Sequence, residues 1–234
     1  LNVLYIFHTT KEQPFTKLVT DFSYSVAKDL NINLKIVFPS EKKTTSYGNL
    51  NRYPYEKFAK PFFFSNDKPD VIISVLFRRT GKKILEFSKN SGIPVFIVNT
   101  HIDPLDKILI KEPREKYKNF LGLVSSNEEH AGEILINSLI KQSKQYKEKD
   151  QYEVIGISGP EETTESMERD LGLSIGLEDK EDVILHQIVH ANWDETLSYQ
   201  KTRKLLQRYP NTDIIWTASD SMALGAKKAV QELN

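Results

Sequence analysis

Short apolar segments recur along the chain, and most are separated by stretches with helical periodicity. The strand-like segments are residues 3–7, 34–38, 71–75, 94–98, 121–124, 153–157, 183–189 and 213–217. Several of them do not alternate between apolar and polar positions, which is typical of strands covered by helices on both faces. The pattern predicts parallel β-strands joined by helices through right-handed crossovers, and therefore an α/β fold.

Three of the intervening stretches predict helices with identifiable ends. Pro14, a favoured residue of the first helical turn, precedes an apolar stripe that predicts an amphipathic helix. The stripe consists of Phe15, Leu18, Val19, Phe22, Val26 and Leu30. Asn127 followed by Glu128 and Glu129 predicts the cap and acidic first turn of a second helix. A further stripe from Met222 to Leu233 predicts a third.

The composition indicates a globular protein without a general affinity for nucleic acids. Of the 234 residues, 39% are hydrophobic, which is enough for a sizeable core in one or two domains. The 32 basic and 32 acidic residues cancel, so no net charge attracts phosphate groups or anionic lipids. The longest apolar runs fall well short of the roughly 18 residues that predict a membrane-spanning helix. We therefore predict no nucleic-acid partner.

The sequence lacks the motifs of the common enzyme classes. It contains no P-loop, no glycine-rich dinucleotide fingerprint, no HExxH motif and no cysteine. The segment GISGP, residues 156–160, resembles the nucleophile elbow of α/β hydrolases, but Pro160 replaces its second glycine. We predict a protein that is not an enzyme and that needs no cofactor or metal. A hydrolase or transferase is the competing class, and turnover of a small ester or glycoside would reveal it.

Polar and aromatic side chains gather where the predicted strands end. These ends are residues 9–15, 77–79, 99–101, the segment from Ser158 onward, and 192–194. Ligands of open parallel sheets bind beyond the carboxyl ends of the strands. Aromatic rings can cover the C–H faces of a sugar while amide, carboxylate and guanidinium groups bind its hydroxyls. The strand ends therefore predict a site for a polyhydroxylated small molecule.

The last strand ends on Ser219 and Asp220, and this pair has two interpretations. Both side chains could face a ligand at the carboxyl end of the strand. Alternatively, one of them caps the helix that follows, which is a common role of serine and aspartate.

Five segments together carry a family resemblance that covers most of the chain. They are KPDVIIS (68–74), SGIPVFIVNT (91–100), LGLVSSNEEHAG (121–132), ESMERDLGL (165–173) and ASDSMALGAKKAV (218–230). In this order they resemble the ribose-type periplasmic sugar-binding proteins, whose fold is shared with the effector domains of lactose-repressor-type regulators. The resemblance implies two Rossmann-like lobes with parallel sheets, and a ligand enclosed in the cleft by lobe closure.

The resemblance also implies the limits of the lobes. It places the N-terminal lobe at residues 1–121, a first hinge crossing at 122–127 and the C-terminal lobe at 128–234. The family continues with further strands of the second lobe and a return crossing. The C-terminal lobe is therefore expected to lack its final strands.

The same resemblance assigns ligand-binding roles to individual residues. They are Gln13, Phe15, Asn99, Arg169, Trp193, Ser219 and Asp220. Asn99 stands where the family often has an aspartate and Ser219 where an asparagine is usual, which argues against ribose as the ligand. Other roles remain open: Arg169 could pair with Glu165 one turn earlier, and Phe15 and Trp193 could serve packing.

By resemblance, the function is that of an extracytoplasmic solute-binding protein or sensor domain in the periplasm or an equivalent compartment. The expected partners are a sugar-like ligand and either a membrane permease or a receptor kinase, and the protein is expected to be a monomer or weak dimer. The long segment 39–67 resembles the corresponding stretch of extracytoplasmic sensors and autoinducer receptors. The alternative function is the effector-binding core of a lactose-repressor-type transcriptional regulator.

Overall fold

The chain forms two compact units, each with its own parallel sheet. The computed structural model describes residues 1–39, 52–76, 78–161 and 163–233. The units are Leu1–Ser126 and Asn127–Asn234. The predicted α/β fold with two Rossmann-like lobes is confirmed. Residues 40–51 of the long segment 39–67, and Phe77 of the third predicted strand end, lie outside the described residues.

The first unit is a five-stranded parallel sheet in the order β2-β1-β3-β4-β5. Its strands are β1 (Asn2–Ile6), β2 (Asn33–Val37), β3 (Val71–Ser74), β4 (Val95–Val98) and β5 (Phe120–Val124). Its helices are α1 (Pro14–Asp29), α2 (Arg52–Phe63), α3 (Gly81–Ser91) and α4 (Pro104–Ile110), and a 3₁₀ turn covers Arg78–Thr80. The main core of the unit lies between the sheet and α2 and α3, around Ile72, Phe63 and Leu85.

The second unit is a three-stranded parallel sheet in the order β7-β6-β8. Its strands are β6 (Tyr152–Ser158), β7 (Val183–His190) and β8 (Ile214–Thr217). Its helices are α5 (Glu128–Tyr146), α6 (Thr164–Ile175), α7 (Glu195–Arg208) and α8 (Asp220–Leu233). Trp216, in β8, is completely buried in the core of this unit. No helix in the described ranges is long and apolar enough to cross a membrane.

The boundary between the units falls within the predicted hinge crossing. Strand β5 ends at Val124, the first unit ends at Ser126, and Asn127 caps α5 by accepting a hydrogen bond from the backbone N–H of His130 at 3.0 Å. The predicted cap is therefore confirmed. The hinge role of residues 122–127 stays a prediction.

Helix α1 forms as predicted, but most of its apolar stripe does not face the core; within the stripe, Val19 packs against the core. Phe15, Leu18, Phe22 and Leu30 are between 54% and 70% exposed. The buried residues of this helix are Thr16 and Ala27. One step along an α-helix rotates the side chain by about 100°, so the face that contacts the sheet lies beside the stripe.

The exposed stripe leads to a prediction for Phe22. Replacing Phe22 by serine should change the free energy of unfolding by less than about 0.5 kcal/mol, because the ring is mostly in solvent. The same change should lower any concentration-dependent self-association, since exposed apolar patches promote contacts between molecules. Denaturant titration and sedimentation velocity measure the two effects. Phe63→Ser, which alters a completely buried ring, is the control, and equal stability loss in both variants would contradict the exposure of Phe22.

Close backbone contacts fix the helix pairs of the second unit. A Cβ added to Gly172 in α6 would lie 1.9 Å from the carbonyl oxygen of Glu129 in α5. A Cβ added to Gly225 in α8 would lie 2.1 Å from the carbonyl oxygen of Glu195 in α7. Both glycines lie in segments that carry the family resemblance. Glycine at these positions allows the two backbones to touch.

Candidate functional site

In the first unit, the loop between β1 and α1 presents two of the predicted residues. The hydroxyls of Thr9 and Thr16 are 2.6 Å apart and join the start of this loop to the first turn of α1. Gln13 is the residue immediately before α1. Phe15 lies in the first turn with 54% of its surface exposed. Phe15 is therefore not a core residue, and its ring is accessible at the carboxyl end of β1.

Neutral polar groups lie near the carboxyl ends of β1 and β3. His8 follows β1, and its ring meets the ring of Tyr55 edge-on with centroids 6.4 Å apart. Burial lowers the pKa of His8 to about 4, so the imidazole is uncharged at neutral pH. The Tyr55 hydroxyl is 2.8 Å from the hydroxyl of Ser74, the last residue of β3. The carboxyl ends of β1 and β3 thus carry no charge from these three residues.

Asn99 directly follows β4 in a left-handed backbone conformation. Its φ is +55°, its side chain is exposed, and its N–H donates to the carbonyl of Val124 at 2.9 Å. Asparagine tolerates this conformation better than most residues. The hydrogen bond to β5 fixes Asn99 at the carboxyl edge of the sheet, where the sequence predicted a ligand contact.

In the second unit, Arg169 joins three elements. Its Nε donates to Oε2 of Glu128 at 2.5 Å, and its Nη1 donates to the carbonyl oxygen of Ala218, just after β8. The guanidinium carbon also lies 5.5 Å from the ring centroid of Trp193, within the range of a cation–π contact. The sequence proposed Glu165 as the structural alternative partner, whereas the structure pairs Arg169 with Glu128 from the adjacent helix α5.

Glu128 is the residue that sequence reasoning missed. It was interpreted as one of two acidic residues in the first turn of α5, where carboxylates are usually exposed. In the structure its side chain is 5% exposed, whereas the neighbouring Glu129 is exposed. Local sequence cannot distinguish the two, because the pairing with Arg169 spans 41 residues.

Trp193 follows β7 in an unusual backbone conformation. Its φ is +62° and that of Asn192 is +53°, a conformation that is rare for a bulky residue and costs on the order of 1–3 kcal/mol. The indole packs against the backbone of Gly159, where an added Cβ would lie 2.2 Å from Cζ2. The ring is partly exposed. Strain of this kind is concentrated at binding sites in proteins.

Ser219 and Asp220 take different positions at the end of β8. The Ser219 hydroxyl accepts a weak hydrogen bond of 3.4 Å from the N–H of Met222, so Ser219 has the capping geometry that was one of its two interpretations. Asp220 is the first residue of α8 and is exposed. Both follow Ala218, whose carbonyl binds Arg169. The structure thus brings Arg169 together with Trp193 and with Ala218, the residue that precedes the Ser219–Asp220 pair.

A second polar group lies beside this network. Burial raises the pKa of the Asp170 carboxyl, while the neighbouring Ser158 hydroxyl and His190 oppose the rise. His190 also faces the carbonyl of Gly159, with its Nδ1 at 2.8 Å. Ser158, Gly159 and His190 stand at the carboxyl ends of β6 and β7.

The raised pKa of Asp170 predicts a stability effect with a defined sign. The folded state binds the proton more tightly than the unfolded state, so stability is highest below the ordinary pKa of 3.8 and falls as the pH rises through the raised value. Asp170→Asn should therefore be more stable than wild type at neutral pH, and the difference should vanish in acid. Denaturant titrations between pH 3 and pH 8 measure this difference.

Asp182→Asn is the matched control, because the pKa of Asp182 is shifted in the opposite direction. Its hydrogen bond with Lys144 lowers the pKa of Asp182, so this variant should not gain stability at neutral pH. An Asp170→Asn protein that is less stable than wild type at neutral pH would contradict the raised pKa.

Comparison with known proteins identifies the family. The family model described as the periplasmic binding protein domain matches residues 64–234. The chain belongs to this family. The resemblance inferred from the five segments is thereby confirmed. Periplasmic binding proteins bind solutes and are not enzymes, which confirms the prediction that the chain is not an enzyme.

Individual periplasmic binding proteins are similar over nearly the whole chain. The D-apiose import binding protein of Actinobacillus succinogenes is 22% identical over 220 residues, which cover 94% of this chain and 62% of that protein. The structure of a periplasmic sugar-binding protein from Pseudomonas fluorescens matches with a TM-score of 0.83 at 27% identity, covering 99% of this chain and 64% of that one.

A third relative supports the same fold. It is an ABC transporter periplasmic solute-binding protein from Actinobacillus succinogenes with bound D-allose, which matches with a TM-score of 0.79 at 16% identity and covers 99% of this chain and 73% of that one. The chain spans less than two thirds of the length of the apiose and Pseudomonas proteins.

Proposed function

We propose that this chain binds a sugar-like small molecule as part of an extracytoplasmic solute-binding protein of an ABC transport system. Support comes from the family and from the relatives, which include an apiose import protein, a protein with bound D-allose and a galactofuranose binding protein. The ligand would be held by Gln13, Phe15 and Asn99 from the first unit and by Arg169, Trp193, Ser219 and Asp220 from the second. Ligand binding would act through lobe closure.

The observation that carries this proposal is the pairing of Arg169 with Trp193. An indole ring offers an apolar face to sugar C–H groups, and a guanidinium offers several fixed donors to hydroxyl oxygens. Arg169 uses two of its five N–H groups in the hydrogen bonds to Glu128 and Ala218, and the others can serve a ligand. Trp193 is held in a costly conformation, which supports a role beyond packing.

Delivery to a membrane permease is the favoured form of this function. The name of the apiose relative describes import, and the allose-bound relative belongs to an ABC transporter. A sensor role with a receptor kinase is the alternative, to which the sequence of segment 39–67 pointed. Co-purification with a permease of the source organism, compared in the presence and absence of the ligand, distinguishes the two.

Calorimetric titration with D-apiose, D-allose, L-arabinose, D-galactose and D-ribose tests the proposal. At least one sugar other than ribose should bind, and Trp193→Ala should weaken its binding by about tenfold or more, since loss of an aromatic contact of this type costs on the order of 1.5 kcal/mol. Tyr146→Ala is the control, because Tyr146 is 91% exposed at the end of α5. Binding of no sugar, or unchanged affinity in Trp193→Ala, would refute the proposal.

A further inference from the structure

The charge of Arg169 is balanced within the second unit. Arg169 forms an ion pair with Glu128, with 2.5 Å between Nε and Oε2. The Glu128 carboxylate is almost completely buried, and Arg169 is about one quarter exposed, with 28% of its side chain accessible. A buried carboxylate strongly favours a charged partner, because an isolated charge is costly away from water. Glu128 therefore holds the guanidinium as its counter-ion.

Among the described residues, the groups that contact the Arg169 side chain add no positive charge. They are the Glu128 carboxylate, the Ala218 carbonyl and the Trp193 ring. Each of them is either negative or electron-rich. Asp220, two residues beyond Ala218, contributes another exposed carboxylate to the end of β8.

This balance changes the ligand chemistry that Arg169 supports. Arginine binds carboxylates and phosphates through parallel N–H donors and an uncompensated positive charge. Here one edge of the guanidinium is already occupied by a carboxylate, and an anionic ligand would be repelled by Glu128. A hydroxyl oxygen needs only a donor, which the remaining N–H groups supply.

We propose that Glu128 is a specificity-determining residue, which neutralises Arg169 and makes the site select uncharged ligands over anionic ones. Glu128 positions Arg169 and sets its charge balance without being a ligand contact. The inference rests on the proposed function for its sugar measurements, whereas its central test uses inorganic sulfate and needs no sugar.

The central test is sulfate binding by Glu128→Gln. Removing the buried charge leaves Arg169 without its counter-ion, so the variant should bind sulfate about tenfold more tightly than wild type, as a charge-assisted hydrogen bond contributes on the order of 1.5 kcal/mol. Melting temperatures are measured over a sulfate titration at constant ionic strength, with chloride as the balancing anion. The double variant Glu128→Gln, Arg169→Gln should lose the gain.

Glu129→Gln is the matched control. It removes the same charge from the same turn of α5, but Glu129 is exposed and is not the partner of Arg169. Its sulfate response should equal that of wild type. Equal responses in Glu128→Gln and Glu129→Gln would overturn the inference, as would tight sulfate binding by the wild-type protein that is lost in Arg169→Gln.

A second measurement uses the wild-type protein, and so does not depend on whether Glu128→Gln folds. D-galactose and D-galacturonate differ in one carboxylate, and galactose should bind at least about tenfold more tightly, for the same charge-assisted energy. Galacturonate binding as tightly as galactose overturns the inference. If neither sugar nor any other neutral sugar binds, the proposed function fails, and the sulfate titrations still decide the role of Glu128.

Discussion

Gly172→Ala is expected to lower the free energy of unfolding by about 2 kcal/mol, from an overpacking cost at the upper end of its usual range less the gain in helix propensity. A methyl group at this position would lie 1.9 Å from the carbonyl oxygen of Glu129 and 2.9 Å from the backbone nitrogen of Glu133. These are backbone atoms of α5, so the clash is relieved only when α5 and α6 separate. Overpacking of this kind typically costs 1–3 kcal/mol. The better helix propensity of alanine, worth about 1 kcal/mol, offsets only part of it.

Denaturant titrations of Gly172→Ala and Gly92→Ala distinguish a stability loss caused by a packing clash from one caused by backbone conformation. Gly92 ends α3 with a φ of +80° and has nothing within 4 Å of an added Cβ. Its replacement should cost about 1 kcal/mol, from the left-handed conformation alone. A Gly172→Ala protein as stable as wild type would show that the two helices do not touch through their backbones.

The close contact between α5 and α6 at Gly172 also explains why Arg169 lies three residues before this glycine. Residues three apart lie on the same face of a helix, so the face of α6 that contacts α5 carries both residues. The glycine brings the helices together, and the arginine then reaches Glu128 at the start of α5. The segment RDLGL therefore supplies both the glycine of the helix contact and the arginine of the candidate site. The ion pair of Arg169 with Glu128 therefore depends on the close helix contact that Gly172 permits.

The strands could be predicted because each is a short apolar run covered by helices. Trp216 illustrates the reason: it is completely buried, and Ile214 and Ile215 before it in β8 are apolar, so periodicity was not needed to recognise the strand. Helix α1 shows the limit of such patterns. Its stripe indicated a helix correctly, but the residues of α1 that are buried are Thr16 and Ala27, and of the stripe Val19 packs against the core.

The candidate site could be predicted only as a set of strand ends. The rule that ligands bind at the carboxyl ends of parallel strands predicted where Asn99 and Trp193 would lie, but their positive φ values are set by the fold and have no local signature. The partner of Arg169 was predicted one helical turn away, because local spacing offers only such partners. Glu128 lies 41 residues away, and only the packing of α5 on α6 brings it close.

Arg169→Ala is expected to lower both ligand affinity and stability. If Arg169 only contacted the ligand, as the sequence alone suggests, its replacement would leave the stability of the ligand-free protein nearly unchanged. The structure changes that expectation, because the variant leaves the buried Glu128 carboxylate without this ion pair and the Ala218 carbonyl without its donor. Removing one partner of a buried ion pair typically costs 3–5 kcal/mol. Since Arg169 is partly exposed, we expect a loss of about 3 kcal/mol.

Arg203→Ala is the control for the loss of an arginine. Arg203 in α7 lies 3.9 Å from Glu232 with 43% of its side chain exposed, and such surface pairs contribute at most about 1 kcal/mol. Melting curves without ligand and calorimetric titration with the bound sugar measure both properties of each variant. Arg169→Ala should lose stability and bind the sugar at least about tenfold more weakly, since hydrogen bonds from a charged group contribute about 1.5–3 kcal/mol.

The melting curves and the calorimetric titrations together distinguish three possible roles of Arg169. Loss of stability with unchanged affinity would make Arg169 a purely structural link between α5, α6 and the end of β8, and the second unit would then bind its ligand through Trp193 and Asp220. Loss of affinity with unchanged stability would mean that the pair with Glu128 contributes little to folding. Loss of both is the expected result, because the same guanidinium holds the strand end in place and directs its remaining N–H groups toward the ligand.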